Sequence, residues 1–175
     1  MRAVVTALTC LHLFVVGDLL GQSGQYEQAG KRASGREVVA VFISASFCLG
    51  CRDPELKSAV EEMKLALRDR GDEGGFGFRV VGVALDWDPN VGKSYLDEFG
   101  FFDEMSLGSN WFGLGPEVYI WSDTTVQPAI PQLLLYEHSV VSSTSAVRFT
   151  DRVVLKRLLG KDEIVAWLDE GAPLR

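Results

Sequence analysis

Along most of the chain, hydrophobic positions follow two patterns, one typical of strands buried on both faces and one typical of amphipathic helices. Residues 37–46 and 78–86 are nearly continuous apolar, β-branched runs, which predict two buried strands. Between them, Asp53 and Pro54 fit the start of a helix, and Gly71 fits its C-cap. Apolar residues recur at helical spacing inside that helix, at Leu56, Val60, Met63 and Leu67.

The second half of the chain continues with one more helix, two strands and a closing helix. An amphipathic segment at about 91–99 predicts a short helix that stops at Gly100. Residues 131–140 and 152–160 predict a third and a fourth strand, and residues 161–171 predict the closing helix. The first four elements predict a parallel sheet with right-handed crossovers, to which the later strands add an antiparallel edge. We therefore expect an α/β fold of the order β-α-β-α-β-β-α, with a central mixed sheet flanked by helices.

Residues 100–130 stand apart because they are irregular, rich in aromatic side chains and longer than an ordinary connection. Connections of this length are usually functional or partly ordered insertions. Four aromatic residues in or near the insertion could line a groove beside the cysteines or cover the sheet edge as satellite core: Trp87, Trp111, Phe112 and Trp121. We favour the core interpretation, because aromatic side chains are mostly packing material.

Residues 1–23 have the layout of a secretory signal peptide. Arg2 precedes an apolar run at 3–16, and small and polar residues follow it. An uncleaved segment could serve as a membrane anchor, although Asp18 keeps the apolar run shorter than the roughly 20 residues that a membrane span needs. The alternative is a buried strand or helix of the domain.

Residues 24–35 are rich in Gly, Gln and Ser, and they predict a linker to a single domain at 36–175. A signal peptide or anchor predicts an extracytoplasmic location, either periplasmic or attached to a membrane through the N-terminus. If the N-terminal segment is instead part of the fold, the protein is expected in the cytoplasm.

The composition restricts the kinds of partner. The chain has 175 residues, of which 47% are hydrophobic and 23% charged, so one domain with a sizeable core is expected. The net charge of −7, without any cluster of Lys and Arg among aromatic residues, excludes nucleic acid as a partner. The three cysteines, Cys10, Cys48 and Cys51, are too few for a disulfide scaffold, which favours a chemical role for the close pair.

Cys48 and Cys51 are three residues apart, after a predicted strand and at the predicted start of a helix. At this spacing the two sulfurs can form a disulfide. Unpaired N–H groups and the positive end of the helix dipole would favour a thiolate and lower its pKa. We expect the outward-facing Cys48 to attack a disulfide and the more shielded Cys51 to resolve the mixed disulfide.

Three other interpretations of the pair stay open. A zinc site needs four ligands. Beyond the pair, the chain offers three candidate ligands: Cys10, His12 and His138. Two small residues at a tight turn would equally suit Gly50 between them. A peroxidatic cysteine usually follows Thr or Ser by three residues and Pro by seven, and Cys48 has Ala45 and Val41 at those positions.

Four stretches carry a resemblance to a known superfamily: VVAVFISASF, CLGC, VVGVALD and IPQLLLYEH. Together they resemble the thioredoxin-like superfamily over about residues 36–170, and they look closest to extracytoplasmic thiol–disulfide oxidoreductases related to cytochrome-maturation thioredoxins. The resemblance implies a cis peptide bond between Ile130 and Pro131, packed beside the dithiol, and such bonds are rare. It also implies that the Ile130 backbone pairs with an extended substrate segment.

The chain departs from that superfamily at several positions. Phe47 replaces the usual Trp before the first cysteine, Leu49–Gly50 replaces Gly-Pro, and Pro54 follows the second cysteine by three residues rather than five. Phe42 stands where thioredoxins keep a buried acid. Three carboxylates could replace that acid, and we expect each of them to be a solvated strand-end or helix-start residue: Asp86, Asp88 and Glu55.

The sequence thus predicts a thiol–disulfide oxidoreductase, with Cys48 as nucleophile and Cys51 as resolving thiol. Phe47, Ile130 and Pro131 are the expected substrate-binding residues. No metal and no cofactor beyond the dithiol are expected, and the partners would be protein thiols or disulfides together with an upstream redox protein. The alternative is a thioredoxin-fold binding or scaffold module without catalysis.

Overall fold

Five strands form one mixed sheet in the computed structural model, which describes residues 34–174. They are β1 (Gly35–Ser44), β2 (Gly77–Ala84), β3 (Glu104–Leu107), β4 (Gln132–Ser142) and β5 (Val147–Leu159). Their order across the sheet is β3-β2-β1-β4-β5. The pairs β1–β2 and β2–β3 are parallel, whereas β4 runs antiparallel to both of its neighbours, β1 and β5. The predicted signal peptide or anchor and nearly all of the predicted linker lie outside the described residues.

Four α-helical segments accompany the sheet: α1 (Pro54–Gly74), α2 (Pro89–Asp97), the short α3 (Leu114–Pro116) and α4 (Gly160–Asp169). A 3₁₀ turn, Gly50–Arg52, precedes α1, a second, Asn110–Phe112, precedes α3, and a π-helical turn, Glu117–Trp121, follows α3. Within residues 34–174, no helix is long and apolar enough to cross a membrane.

The core lies in two layers, one on each face of the sheet. On one face, α1, α2 and α4 pack against strand residues that include Phe42 and Leu133. On the other face, the segment 111–126 covers Val41 and neighbouring strand residues and buries Ile120 against them. Both faces of the central strands are therefore buried, which explains their nearly continuous apolar sequences.

This arrangement confirms the predicted α/β fold with a central mixed sheet and an antiparallel edge. The connection from β3 to β4 passes from one side of β1 to the other, and the segment 111–126 covers the face opposite α1 and α2. The insertion is thus the second covering layer of the sheet.

Two boundaries differ from the prediction. Gly71 was expected to end the first helix, but α1 continues to Gly74, and Gly75 forms the left-handed cap at φ 65°. Gly71 is needed for another reason, since a Cβ atom there would lie 2.7 Å from the Phe76 carbonyl oxygen. A glycine required for close approach thus has the same sequence signature as a C-cap.

The second difference is an additional strand. Residues 104–107 pair with β2 as the edge strand β3, within a stretch that was predicted to be irregular. This strand has only four residues, and none of them is fully buried. Its residues, Glu-Met-Ser-Leu, do alternate between polar and apolar, but a run of four is the shortest by which a strand is predicted, and none of the four is β-branched or aromatic.

Candidate dithiol site

Cys48 and Cys51 are joined by a disulfide in the loop that follows β1, with their Cα atoms 5.2 Å apart. We call residues 45–53 the cysteine loop. It is closed by short-range backbone hydrogen bonds: the Cys48 N–H donates to the Ala45 carbonyl over 3.3 Å, and the Cys51 N–H donates to the Cys48 carbonyl over 3.2 Å. The loop lies at the carboxyl end of β1, where open α/β sheets usually place their functional sites.

The cysteines do not occupy the first turn of α1, which corrects the expected position of the helix start. They lie around the 3₁₀ turn Gly50–Arg52, and extended backbone at Asp53 (φ −63°, ψ 127°) separates that turn from α1. The cause is Pro54, because a residue that precedes proline is disfavoured in the α conformation. The dipole of α1 therefore does not begin at Cys48.

Asp53 occupies the N-terminus of α1 instead. Its side chain accepts a hydrogen bond from the Glu55 N–H over 2.9 Å, as expected for an N-cap. This backbone hydrogen bond, together with the ammonium of Lys161, lowers the pKa of the Asp53 carboxyl. The positive end of the helix is thus already matched by a carboxylate.

The two sulfurs differ in accessibility. Cys51 is fully buried against Leu56 and the rest of the first core layer, whereas Cys48 is only partly buried. Both neighbours of Cys48 in the loop are exposed, Phe47 at 57% and Leu49 at 89%. An incoming disulfide can therefore reach Cys48 but not Cys51.

The predicted neighbour of the dithiol is in place. The Ile130–Pro131 peptide bond is cis, as the resemblance implied. The Ile130 carbonyl oxygen lies 3.8 Å from Cys48 Sγ, close enough to accept a weak hydrogen bond from the thiol of a reduced Cys48. The Pro131 carbonyl is held by the Gly160 N–H at 2.8 Å, which ties this segment to the start of α4.

Asp86 is buried behind the cysteine loop, with 4% of its surface exposed. Its carboxylate accepts hydrogen bonds from the Ser46 N–H at 3.2 Å and from the Ser46 hydroxyl at 2.5 Å. The expectation of a solvated carboxylate was therefore wrong for Asp86. A carboxylate at the end of a strand has no sequence signal that separates a buried hydrogen-bond acceptor from an exposed one.

The same expectation was right for the other two carboxylates. Asp88 is exposed and caps α2, where its side chain accepts from the Asn90 N–H at 2.8 Å. Glu55 is exposed in the first turn of α1, and its carboxylate accepts from Lys161 Nζ at 2.6 Å. Neither of these residues replaces the missing buried acid.

Tyr95, a buried residue of α2, holds the other end of the loop, and the sequence analysis did not identify it. Its hydroxyl donates to the Cys51 carbonyl at 2.9 Å and lies 2.5 Å from the Ser44 hydroxyl, which then donates to it. Burial raises the pKa of Tyr95 well above its usual range, so this hydroxyl stays a donor. A tyrosine on the inner face of an amphipathic helix otherwise looks like ordinary core.

Among the described residues, His138 does not lie beside the two cysteines, as the zinc interpretation would require. His138 Nε2 lies 2.8 Å from a carboxylate oxygen of Glu37, and the other oxygen accepts from Arg79 at 3.0 Å. This buried cluster is at the start of β1, whereas the cysteines follow its end. No group of three or more His, Cys, Asp or Glu residues within 34–174 is arranged to hold a metal ion, and Cys10 and His12 lie outside the described residues.

The core interpretation of the aromatic residues was wrong for three of them: Trp87, Phe112 and Trp121. Trp87 and Phe112 are 67% and 83% exposed, and their rings stack with centroids 6.2 Å apart. We call this pair the aromatic shelf. Trp111 does pack against the second core layer, as expected, and its carbonyl accepts from the indole N–H of the half-exposed Trp121 at 2.8 Å.

Comparison with known proteins gave structural matches only. No protein-family model and no curated protein matches the chain. Among solved structures, a thiol-disulfide oxidoreductase from Bacteroides fragilis NCTC 9343 is 15% identical, covering 77% of this chain and 80% of its own, with a TM-score of 0.39. A thiol:disulfide interchange protein of the thioredoxin family from Chlorobium tepidum TLS is 14% identical, covering 78% and 81%, with a TM-score of 0.36. At these identities and TM-scores, neither structure carries its function over to this chain.

Proposed function

We propose that this protein is a thiol–disulfide oxidoreductase that exchanges disulfides with protein substrates through Cys48 and Cys51. The observation that carries the proposal is the closed Cys48–Cys51 disulfide, which joins an accessible sulfur to a fully buried one beside the Ile130 carbonyl. A structural disulfide across a loop this short closes little of the chain and contributes little stability. A pair with one reachable sulfur is what disulfide exchange requires.

In the reductive direction, the Cys48 thiolate attacks one sulfur of a substrate disulfide. A Cys48–substrate disulfide forms, the substrate S–S bond breaks, and the leaving sulfur takes up a proton. The Cys51 thiolate then attacks Cys48 Sγ, which closes the intramolecular disulfide and releases the second substrate sulfur as a thiol. Two electrons move from the dithiol to the substrate, and the reverse steps oxidise a substrate dithiol.

Three residues supply the proposed substrate wall. Phe47 is exposed next to Cys48 and offers apolar contact, while Ile130 and Pro131 present the backbone beside the reactive sulfur. An extended segment can pair with backbone groups of Ile130 as a short added strand. The dithiol itself carries the electrons, so the proposal needs no cofactor, and a second thiol protein restores the starting redox state.

An extracytoplasmic location, in the branch of the superfamily related to cytochrome-maturation thioredoxins, is part of the proposal. It is supported by the sequence pattern of residues 1–23. In an oxidising compartment disulfides form and persist, which suits a protein that exchanges them.

The role of each sulfur is tested by trapping. We expect Cys51→Ser to accumulate mixed disulfides with protein partners in cells, because nothing then resolves the Cys48–substrate bond. Cys48→Ser should not accumulate them, because Cys51 is fully buried. The measurement is non-reducing electrophoresis of acid-quenched cells, with the double variant as control. Equal trapping by the two single variants would overturn this assignment.

A non-catalytic binding or scaffold module is the second candidate, favoured by one observation. The aromatic shelf is exposed at the dithiol end of the sheet, as a docking surface would be. A scaffold needs no reversible redox chemistry. Partner binding by the double variant Cys48→Ser, Cys51→Ser that equals binding by the parent protein would therefore support this candidate.

A further inference from the structure

The aromatic shelf exposes two of the largest apolar side chains in the chain. Trp87 is 67% and Phe112 is 83% exposed, and they stack on one another rather than on the core. Leaving apolar surface of this size in water is unfavourable. Paired exposed aromatic residues are unusual on a surface that has no partner.

The shelf is built rigidly. Asn110 donates its side-chain amide to the Leu85 carbonyl at 2.8 Å, which fixes the turn that precedes Phe112 to the end of β2. The backbone at Gly108, Ser109 and Asn110 is left-handed, with φ values of 81°, 61° and 52°. Two of these residues carry a Cβ atom, and such conformations persist only where surrounding contacts enforce them.

The shelf is also connected to the reactive site. Trp87 directly follows Asp86, whose carboxylate binds the Ser46 N–H and hydroxyl in the cysteine loop. The Asp86 carbonyl in turn lies 3.4 Å from the Asn110 N–H. One buried residue thus links the cysteine loop with both loops that carry the shelf, so all three keep a fixed relation at one end of the sheet.

The surroundings of the shelf are acidic. Residues 108–121, which carry Phe112, contain one carboxylate, Glu117, and no Lys or Arg. The exposed Asp88 directly follows Trp87, and the exposed Glu117 follows Phe112 by five positions. Aromatic faces attract Lys and Arg side chains as well as apolar ones.

We propose that the aromatic shelf binds the segment of a substrate protein that flanks its cysteine, and that it selects segments with an apolar side chain and neighbouring Lys or Arg residues. This inference rests on the proposed function. The occupant follows from the link to the dithiol, which places a covalently bound substrate at this end of the sheet, and from the charge of the surroundings.

The test uses Trp87→Ala and Phe112→Ala in the full chain, with Phe101→Ala as matched control. Phe101 is also a half-exposed aromatic residue, but it precedes β3 and so lies at the opposite end of the parallel strands. Three disulfide substrates are compared: a peptide with Leu and Arg beside its cysteine, the same peptide with Glu in place of Arg, and hydroxyethyl disulfide. The readout is the ratio of kcat/KM values between substrates.

For the parent protein, we expect the Arg peptide to be preferred over both other substrates. Each shelf variant should lower the preference for the Arg peptide over hydroxyethyl disulfide about tenfold, the effect of losing one central aromatic contact. The Phe101→Ala protein should keep the parent ratio. Sedimentation of parent and variants at the assay concentration identifies any change in self-association.

Unchanged ratios in both shelf variants would overturn the inference while leaving the proposed function intact. So would equal preference of the parent for the Arg and Glu peptides, or a shelf substitution that dissociates a dimer without changing the ratio. If the parent reacts with none of the three disulfides, the proposed function itself fails.

Discussion

At the scale of single residues, the site is defined by what holds the cysteine loop from behind. Asp86 binds Ser46 at the Cys48 side, and Tyr95 binds the carbonyl of Cys51 at the other side. In the disulfide state the two sulfurs therefore differ in exposure. This difference, rather than the dipole of α1, is the basis for assigning their roles.

Tyr95→Phe tests how firmly the loop is held. The substitution keeps the ring but leaves the buried Ser44 hydroxyl and the Cys51 carbonyl without this partner, and we expect a loss of about 2 kcal/mol in the free energy of unfolding. Urea denaturation of the oxidised protein measures it. Ser94→Ala, an exposed change on the same helix, should stay within about 0.5 kcal/mol. Equal effects of the two changes would contradict the role of Tyr95.

At the scale of elements, most of the fold was predictable because its signals are local. The apolar runs of β1 and β2 and the Asp-Pro start of α1 are visible in the sequence. The strand β3 was not predictable in this way, because it depends on pairing with β2. The C-terminal end of α1 was not predictable either, because Gly71 is required by the close approach of Phe76 and not by a helix cap. Of the site, the cysteines and Ile130–Pro131 were predicted, whereas the hydrogen bonds of Asp86 and Tyr95 depend on packing between elements.

Lys64 joins two elements and gives a prediction at this scale. It is fully buried in α1, where its ammonium pairs with Glu61 at 2.7 Å, binds the Phe99 carbonyl, and lies 4.1 Å from the centroid of the Phe102 ring. Burial lowers the pKa of Lys64. Lysine is almost never buried without such partners.

We expect Lys64→Ala to lower the free energy of unfolding by about 3 kcal/mol, because it leaves a cavity and removes the partner of Glu61. The matched control is Lys57→Ala, which breaks the more exposed pair between α1 and Glu98 and should cost less than about 1 kcal/mol. Chemical denaturation of both variants measures the difference. Similar losses in the two proteins would show that the buried pair has no special weight.

At the scale of the whole molecule, the parallel strands bring three loops to one end of the sheet. The cysteine loop follows β1, Asp86 and Trp87 follow β2, and the turn at 108–112 follows β3. This is the end at which α/β sheets generally bind their ligands. The β3–β4 connection then covers the opposite face of the sheet and returns to Ile130 beside Cys48.

The reversible closure of the Cys48–Cys51 disulfide is the central claim. It is tested most directly by equilibrating the purified protein with glutathione at a series of reduced-to-oxidised ratios, then quenching with an alkylating reagent and measuring the intact mass. We predict one cooperative two-electron transition in which both cysteines become protected together. Two results would contradict the account. Either Cys48 and Cys51 remain open to the alkylating reagent at every ratio, or they form mixed disulfides with glutathione without forming the intramolecular disulfide.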